Sequence, residues 1–304
     1  MAMAVTAVEY QMTVEGKTLS ITNPDKPLWP EAGITKLLYL QYLITVAPYL
    51  LPYTKNRLLT VIRYPHGIHD KSFYQKNLPD YAPDWIPTYV WESTRYVLLN
   101  DLPTLIWLAN QAALEWHVSF HQCEDEEPTE LVFDLDPSTP DFHMVAESAF
   151  HLKAVLDELQ LPSYVKTSGA SGLQIYIPIK SGYTFSETRR VSEFIANYLT
   201  QRYPELVTTE RLVKNRGDKL YIDYLQHWRG KTLPAPYSTR AKPEASVSTP
   251  LTWDEVDKIH PTQFTVHTLP DRLQKHGDLF AALLATENRV SLDPILSFLQ
   301  QKKR

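Results

Sequence analysis

The sequence of 304 residues predicts an α/β (α+β) protein. Three observations point there. Short apolar runs of strand type, such as LVFDLDP and LQIYI, alternate after residue 130 with longer stretches of helical spacing. Two Thr-x-x-Glu capping boxes, Thr184 with Glu187 and Thr252 with Glu255, mark helix starts. An apolar content of 43% is enough to build a large core.

Element by element, the opening VEYQMTVEGKTLSITN alternates and turns at Glu15-Gly16, as a β-hairpin does. A loop with three prolines follows, then Thr35 caps a helix from Lys36 toward Val46 that Pro48 bends or ends. Residues 57–63 (RLLTVIR) read as a buried strand, and 64–87 as a loop dense in aromatic and basic residues: Lys71, Phe73, Tyr74, Lys76, Tyr81 and Trp85. A second helix starts near Asn100 or Asp101 with Pro103 in its first turn, and Leu105, Leu108, Ala112 and Trp116 recur along it. Beyond the acidic run Glu124–Glu127 the reading is a strand at LVFDLDP, a helix over Asp141–Leu159, strands at Tyr164–Thr167 and Leu173–Ile179, and a helix from the first capping box to about Tyr203. LVTTERLV and LYIDYLQ then flank the turn Asn215–Asp218 as a hairpin, and two amphipathic helices follow the second capping box. No internal repeat or low-complexity tract interrupts the pattern, and the acidic run is the candidate module boundary.

Composition narrows the function classes. The one cysteine, Cys123, forms no intrachain disulfide, which fits a reducing compartment. MAMAVTAVEY lacks the basic and apolar regions of a signal peptide, and the greasiest run, Leu37 to Leu51, is too short for a membrane span of about 20 residues. A net charge of −5 is unusual for a phosphate-binding protein. It conceals an asymmetry, for Lys26, Lys36, Lys55, Arg57, Arg63, Lys71 and Lys76 concentrate in the first quarter and suggest an anion-facing region.

The chemistry centres on acids. Along a strand, alternate side chains share a face, so Asp134 and Asp136 project together about 6.5–7 Å apart while Leu135 packs the other way. Two carboxylates so spaced can share divalent cations about 3.5–4 Å apart, the separation used for in-line attack at phosphorus. An exposed strand edge is the plainer alternative. Asp223, between apolar neighbours in YIDYL, is a third acid that needs a cation or a donor. Between these strands lies Lys166-Thr167-Ser168-Gly169-Ala170-Ser171-Gly172, which joins strand to strand and so is neither a P-loop nor a dinucleotide fingerprint. Its amides and hydroxyls could cradle phosphates, or it is a simple hairpin turn. Gln226, Arg229, Lys231, Tyr237 and Arg240 cluster after Asp223, where cations would offset charge on a departing pyrophosphate. His117, His121 and Cys123 lack a fourth ligand and make a weak zinc pattern, so His117 reads as a helix cap or a substrate contact.

Taken in order, DLDP at Asp134–Pro137, TSGASGLQIYIP, IDYLQHWRGKT, APYSTRAKP and STPLTWDEV, with ITNPDKPLWP, GITK, SFYQKNLP and NQAALEWHV upstream, resemble the polymerase domain of bacterial ligase D. That family belongs to the archaeo-eukaryotic primase superfamily and serves non-homologous end joining. The resemblance covers nearly the whole chain. It implies one primase-polymerase domain over 1–304, with an N-terminal α/β module at 1–125 for DNA ends and template and a catalytic RRM-like sheet plus C-terminal helices at 126–304. It further implies that Asp134, Asp136 and Asp223 hold two Mn2+ or Mg2+ ions. His117, Ser168, Gly169, Ser171, Gly172, Gln174, Gln226, Lys231 and Arg240 would surround the incoming NTP or dNTP. Lys26 and Lys36 would hold a 5′-phosphate across a gap or break, and Arg63, Phe73 and Tyr74 would meet the template, with stacking worth about 1–3 kcal/mol per base. Many relatives carry a lysine and then a histidine where this chain has Ser171 and Gln174, which removes positive charge from the triphosphate pocket.

The expected function is template-dependent nucleotidyl transfer that fills gaps and extends DNA ends by a two-metal route, favouring ribonucleotides. The expected setting is a monomer in the bacterial cytoplasm, at the nucleoid, working with Ku and a DNA ligase and with no membrane partner. No Lys-x-Asp-Gly ligase signature occurs, so the reading is a free-standing polymerase or one excised from a longer chain. Two rivals are a catalytically weak module that bridges DNA ends by their 5′-phosphates, and a metal phosphohydrolase.

Overall fold

The computed structural model describes residues 9–302. Val8 of the predicted hairpin, and most of the segment read for a signal peptide, lie outside them. Strands β1 (Glu9–Val14) and β2 (Lys17–Thr22) form that hairpin. The pair β3 (Pro27–Trp29) and β4 (Ile34–Thr35) leads into helix α1 (Lys36–Thr54), whose Thr35 cap accepts the Leu38 amide. The helix neither stops nor breaks at Pro48 but runs through it and Pro52. Burial of Ala47, Leu50 and Tyr53, and a bond from the Thr54 hydroxyl to the Leu99 carbonyl, outweigh the roughly 3 kcal/mol an interior proline costs.

After β5 (Arg57–Arg63), the stretch read as loop contributes a short edge strand, β6 (Phe73–Gln75), and the hairpin β7 (Thr88–Trp91) with β8 (Thr94–Val97) follows. Helix α2 (Leu102–Asn110), capped by Asp101, is shorter than predicted. Ala112 takes a left-handed φ of 59° and the chain becomes β9 (Ala113–Gln122). Trp116 and His117 are therefore strand residues, not helical ones. The alternation of Leu114, Trp116, Val118 and Phe120 with Glu115, His117, Ser119 and His121 was the signal, masked by a fortuitous helical spacing of apolar residues.

Strand β10 (Glu130–Asp136), helix α3 (Phe142–Glu158), strands β11 (Tyr164–Thr167) and β12 (Leu173–Pro178) and helix α4 (Phe185–Arg202) match the predicted alternation. The next segment does not. Instead of an antiparallel hairpin, β13 (Val207–Thr208) and β14 (Leu220–Asp223) pair in parallel around the one-turn helix α5 (Val213–Arg216). Arg216 is the reason: its guanidinium bonds the Glu210 and Arg211 carbonyls and stacks 3.9 Å over the Tyr221 ring, folding the connection into a crossover. Then come β15 (Thr232–Pro234) and β16 (Pro250–Leu251). The Thr252–Glu255 capping box closes only a single 3-10 turn, and three helices follow it, α6 (Leu269–His276), α7 (Ala281–Leu284) and α8 (Asp293–Gln301), where two were expected.

The larger sheet runs β13-β14-β10-β12-β11-β16. Its β10-α3-β11-β12-α4-β14 portion places the strands in spatial order fourth, first, third, second, all antiparallel to their neighbours, which is the RRM-like, ferredoxin-like arrangement. One face buries Leu131, Phe133, Leu135, Leu173, Ile175 and Ile177 under α3 and α4. The other carries Val132 and Tyr176 into a second core, shared with α1, α2 and the sheet β15-β9-β5-β6. The chain returns to this second core late, through β15, Ala235, Tyr237 and Val247. Polar residues on that face of β10, β11, β12 and β14 thus lie between the two sheets. Among the described residues no helix is long and apolar enough to cross a membrane.

Candidate active site

Register brings the acids to one face. Asp134 is the direct partner of Asp223 across β10 and β14, and Asp136 stands two residues on, opposite Tyr221. The three are not equally free. Asp134 Oδ1 accepts one bond, from Gln174 Nε2 at 3.1 Å. Burial raises its carboxyl to about 6, with Gln174 lowering it and the charges of Asp136 and Asp223 raising it. Asp136 is exposed and meets Arg216 at 3.5 Å. Asp223 Oδ1 accepts the Gln226 amide at 2.9 Å and the Tyr221 hydroxyl at 3.1 Å. Among the described residues no three acidic, histidine or cysteine side chains form a ready-made metal cluster, and His117, His121 and Cys123 make none. The donor set nonetheless suits hard cations: the acids that share this face offer only oxygen, and Asp134 lies against two like charges with one amide as its hydrogen-bond donor.

A cavity of about 360 Å³ opens beside them. Asp134, Asp136, His117, Ser168, Ser171, Gly172, Gln174, Gln226, Arg240 and Tyr74 line it, so most of the predicted nucleotide residues converge. The glycine loop works differently from expectation. Ser168 Oγ accepts the Ala170 and Gly172 amides, each at 3.1 Å, so these two N–H groups brace the loop instead of facing a phosphate. Gly172 is required by contact: a Cβ there would sit 2.1 Å from the Leu135 carbonyl oxygen. Gly169 adopts a φ of 71°, and a Cβ would meet the Ser248 nitrogen at 2.8 Å. Behind the loop, Lys166 is wholly buried and bonds Gln174 Oε1 and Ser248 Oγ. Burial pushes its ammonium well below the ordinary lysine range, against the pull of Asp134.

The opposite wall is organised by Glu115, which the sequence reading passed over. Its carboxylate accepts His117 Nε2, Arg240 Nε and the Ala241 amide, all at 3.0 Å, and Arg240 also reaches the Ser168 carbonyl at 2.6 Å. Burial lowers the His117 pKa despite Glu115, so the ring is neutral at neutral pH. An acid two residues before a histidine on an alternating stretch was the available clue. Gln226 holds the Thr232 carbonyl and Lys231 the Leu225 carbonyl, each at 2.9 Å. Arg229 is drawn away from the acids: it pairs with Glu92 and Glu126 and lies 4.5 Å over Trp91.

In the N-terminal part, Arg63 lies 5.1 Å over the exposed Phe73 ring and bonds Gln75 and Tyr81, and Tyr74 is exposed beside them. Lys26 reaches the Pro65 carbonyl at 2.8 Å. Lys36 is only 3% exposed, and its ammonium donates to the Thr22 and Asn110 carbonyls at 2.6 and 2.9 Å. Burial, with the neighbouring Lys26 charge, lowers it to about 8.

Two packed sheets around paired carboxylates, with the RRM-like strand order, define a protein of the primase-polymerase class. Residues 35–280 match the family model described as LigD, primase-polymerase domain, and the chain belongs to that family. It is 46% identical over 287 residues to the bifunctional non-homologous end joining protein LigD of Bacillus subtilis, covering 93% of this chain and 47% of the relative. It is 34% identical over 271 residues to the multifunctional LigD of Mycolicibacterium smegmatis, covering 86% of this chain and 36% of that one. The chain thus spans about half, or less, of these relatives. The polymerase domain of Mycobacterium tuberculosis ligase D, solved in complex with DNA, superposes with a TM-score of 0.82 at 32% identity, covering 88% of this chain and 98% of that one.

Proposed function

We infer that this chain is a template-dependent nucleotidyl transferase that extends DNA ends and fills gaps in end-joining repair. The observation that carries the reading is the strand register that pairs Asp134 with Asp223 and sets Asp136 two residues on, with Asp134 and Asp136 lining a cavity shared with His117, Ser168 and Arg240. Asp134, Asp136 and Asp223 would hold Mn2+ or Mg2+. The chemistry such cations supply is activation of a primer 3′-hydroxyl and stabilisation of pyrophosphate as it leaves. Arg240, fixed by Glu115, presents a charged donor to the triphosphate from the returning chain, and His117, whose Nε2 hydrogen goes to Glu115, lines the same cavity from β9. Tyr74 reaches from the template side into the same cavity, and Arg63 with Phe73 extends a stacking platform outward. Lys26 keeps donors for a 5′-phosphate, whereas Lys36 must exchange carbonyl bonds to reach one.

Ribonucleotide preference and collaboration with Ku and a ligase follow from the family and belong to the same reading. The test is Mn2+-dependent extension of a gapped, 5′-phosphorylated duplex, with ribonucleotides and deoxyribonucleotides in parallel. Asp134→Ala should lose at least about 100-fold in rate, the scale of a transition-state electrostatic contact. Full activity in that variant ends the assignment. One observation favours the weak end-bridging alternative: Lys231, Arg229 and the loop amides are all engaged within the protein, leaving few free donors for a triphosphate. Tight binding of the 5′-phosphate without incorporation would select it.

A further inference from the structure

Strand β11 carries a lysine that the reading above does not use. Lys166 is 0% exposed and stands in register opposite Gln174 of β12. A buried amine is costly unless acceptors take its hydrogens, and Gln174 Oε1 and Ser248 Oγ do so. Ser248 can only accept, because its own hydrogen is spent on the Thr167 carbonyl at 2.8 Å. With its oxygen engaged by the amine, the Gln174 amide presents its nitrogen to Asp134, where Nε2 donates to Oδ1 at 3.1 Å. The flipped amide would set Oε1 against the carboxylate and Nε2 against amine hydrogens, exchanging two bonds for two repulsions.

We propose that Lys166, acting through Gln174, is a positioning residue that fixes the orientation of Asp134 and turns its remaining lone pairs toward the cation site. This rests on Asp134 being a cation ligand. Outer partners of this kind orient carboxylates at metal sites and tune their affinity. Gln174 Oε1 is engaged by the amine and one Nε2 hydrogen by Asp134, so within the protein this amide serves Asp134.

The experiment uses the full chain and Mn2+ alone as probe, followed by electron paramagnetic resonance, beside steady-state primer extension. Lys166→Met removes the amine at similar length, Gln174→Leu removes the amide at similar volume, and a double variant removes both. Each single variant should weaken Mn2+ binding by roughly 10- to 100-fold and lower kcat, with KM for the nucleotide held within about twofold. The double variant should be no worse than the weaker single, because one chain of contacts is broken only once. Wild-type Mn2+ affinity in both singles, or additive losses, overturns the proposal. Should Lys166→Met fail to fold, Gln174→Leu decides alone, and wild-type Mn2+ affinity there is equally fatal. Asp134→Ala separates the two levels. If it binds Mn2+ and extends primer normally, the cation-site reading itself has failed; if it is inert while the other variants match wild type, only the positioning role has failed.

Discussion

Glu115 governs one wall of the cavity, because His117, Arg240 and the Ala241 amide all converge on its carboxylate. Burial alone would raise its pKa, but the bond from His117 and the charge of Arg240 hold it at about 2, against an ordinary 4.5. A carboxyl depressed by folding adds stability that is complete above 4.5 and is lost as pH falls toward 2. The full contribution is roughly 3 kcal/mol, of which about 2 is gone at pH 3. Urea unfolding at pH 6 and pH 3 should therefore show Glu115→Gln losing about 2 kcal/mol less than wild type across that interval. Equal losses in the two proteins would remove Glu115 from the acid-sensitive groups. Little of this residue's role was legible in the sequence, since its partner Arg240 lies 125 positions away.

The connection between β11 and β12 shows how one element positions another. It closes on itself through Ser168 and presses Gly172 against the backbone of β10, at the residue between Asp134 and Asp136. Gly172→Ala puts a methyl 2.1 Å from a backbone oxygen that cannot swing aside. The variant should lose about 2–4 kcal/mol by overpacking and displace the end of β10. Thermal unfolding and primer extension should fall together, and a wild-type melting point would show that the loop yields freely. Residue types marked this loop in the sequence, but its direction of contact was not visible there. Strand β9 was misread for a related reason: alternation with a buried polar face looks like helix when Leu105, Leu108, Ala112 and Trp116 happen to keep helical spacing.

At the scale of the molecule, the two sheets are tied by a buried ion pair. Arg57 of β5 binds both Glu130 oxygens, at 2.8 and 3.0 Å, and also the Ser119 carbonyl and the Thr129 hydroxyl. Removing one partner leaves an uncompensated charge, which costs about 3–5 kcal/mol. Arg57→Met and Glu130→Leu should each destabilise on that scale, while the double variant should lose less than the sum, as read by a double-mutant cycle in urea. Strict additivity would mean the pair does not couple the sheets. The RRM-like strand order agrees with what the resemblance to the ligase D polymerase domain implied, whereas the parallel pairing of β13 with β14 was not foreseen. A buried Arg216 stacked on Tyr221 decides that crossover, and no local pattern announces it.

By itself the sequence determined the fold class, the carboxylate pair Asp134 and Asp136, the glycine loop and the aromatic, basic first quarter, because each depends on neighbours within a few residues: strand period, turn chemistry, local composition. Only the tertiary structure decided that Asp223 faces Asp134, that Glu115 gathers His117 with Arg240, and that Lys166 stands behind Gln174. Those relations come from strand register and from the late return of the chain, through β15, to the sheet of β9 and β5, and both are settled by packing between elements far apart in sequence.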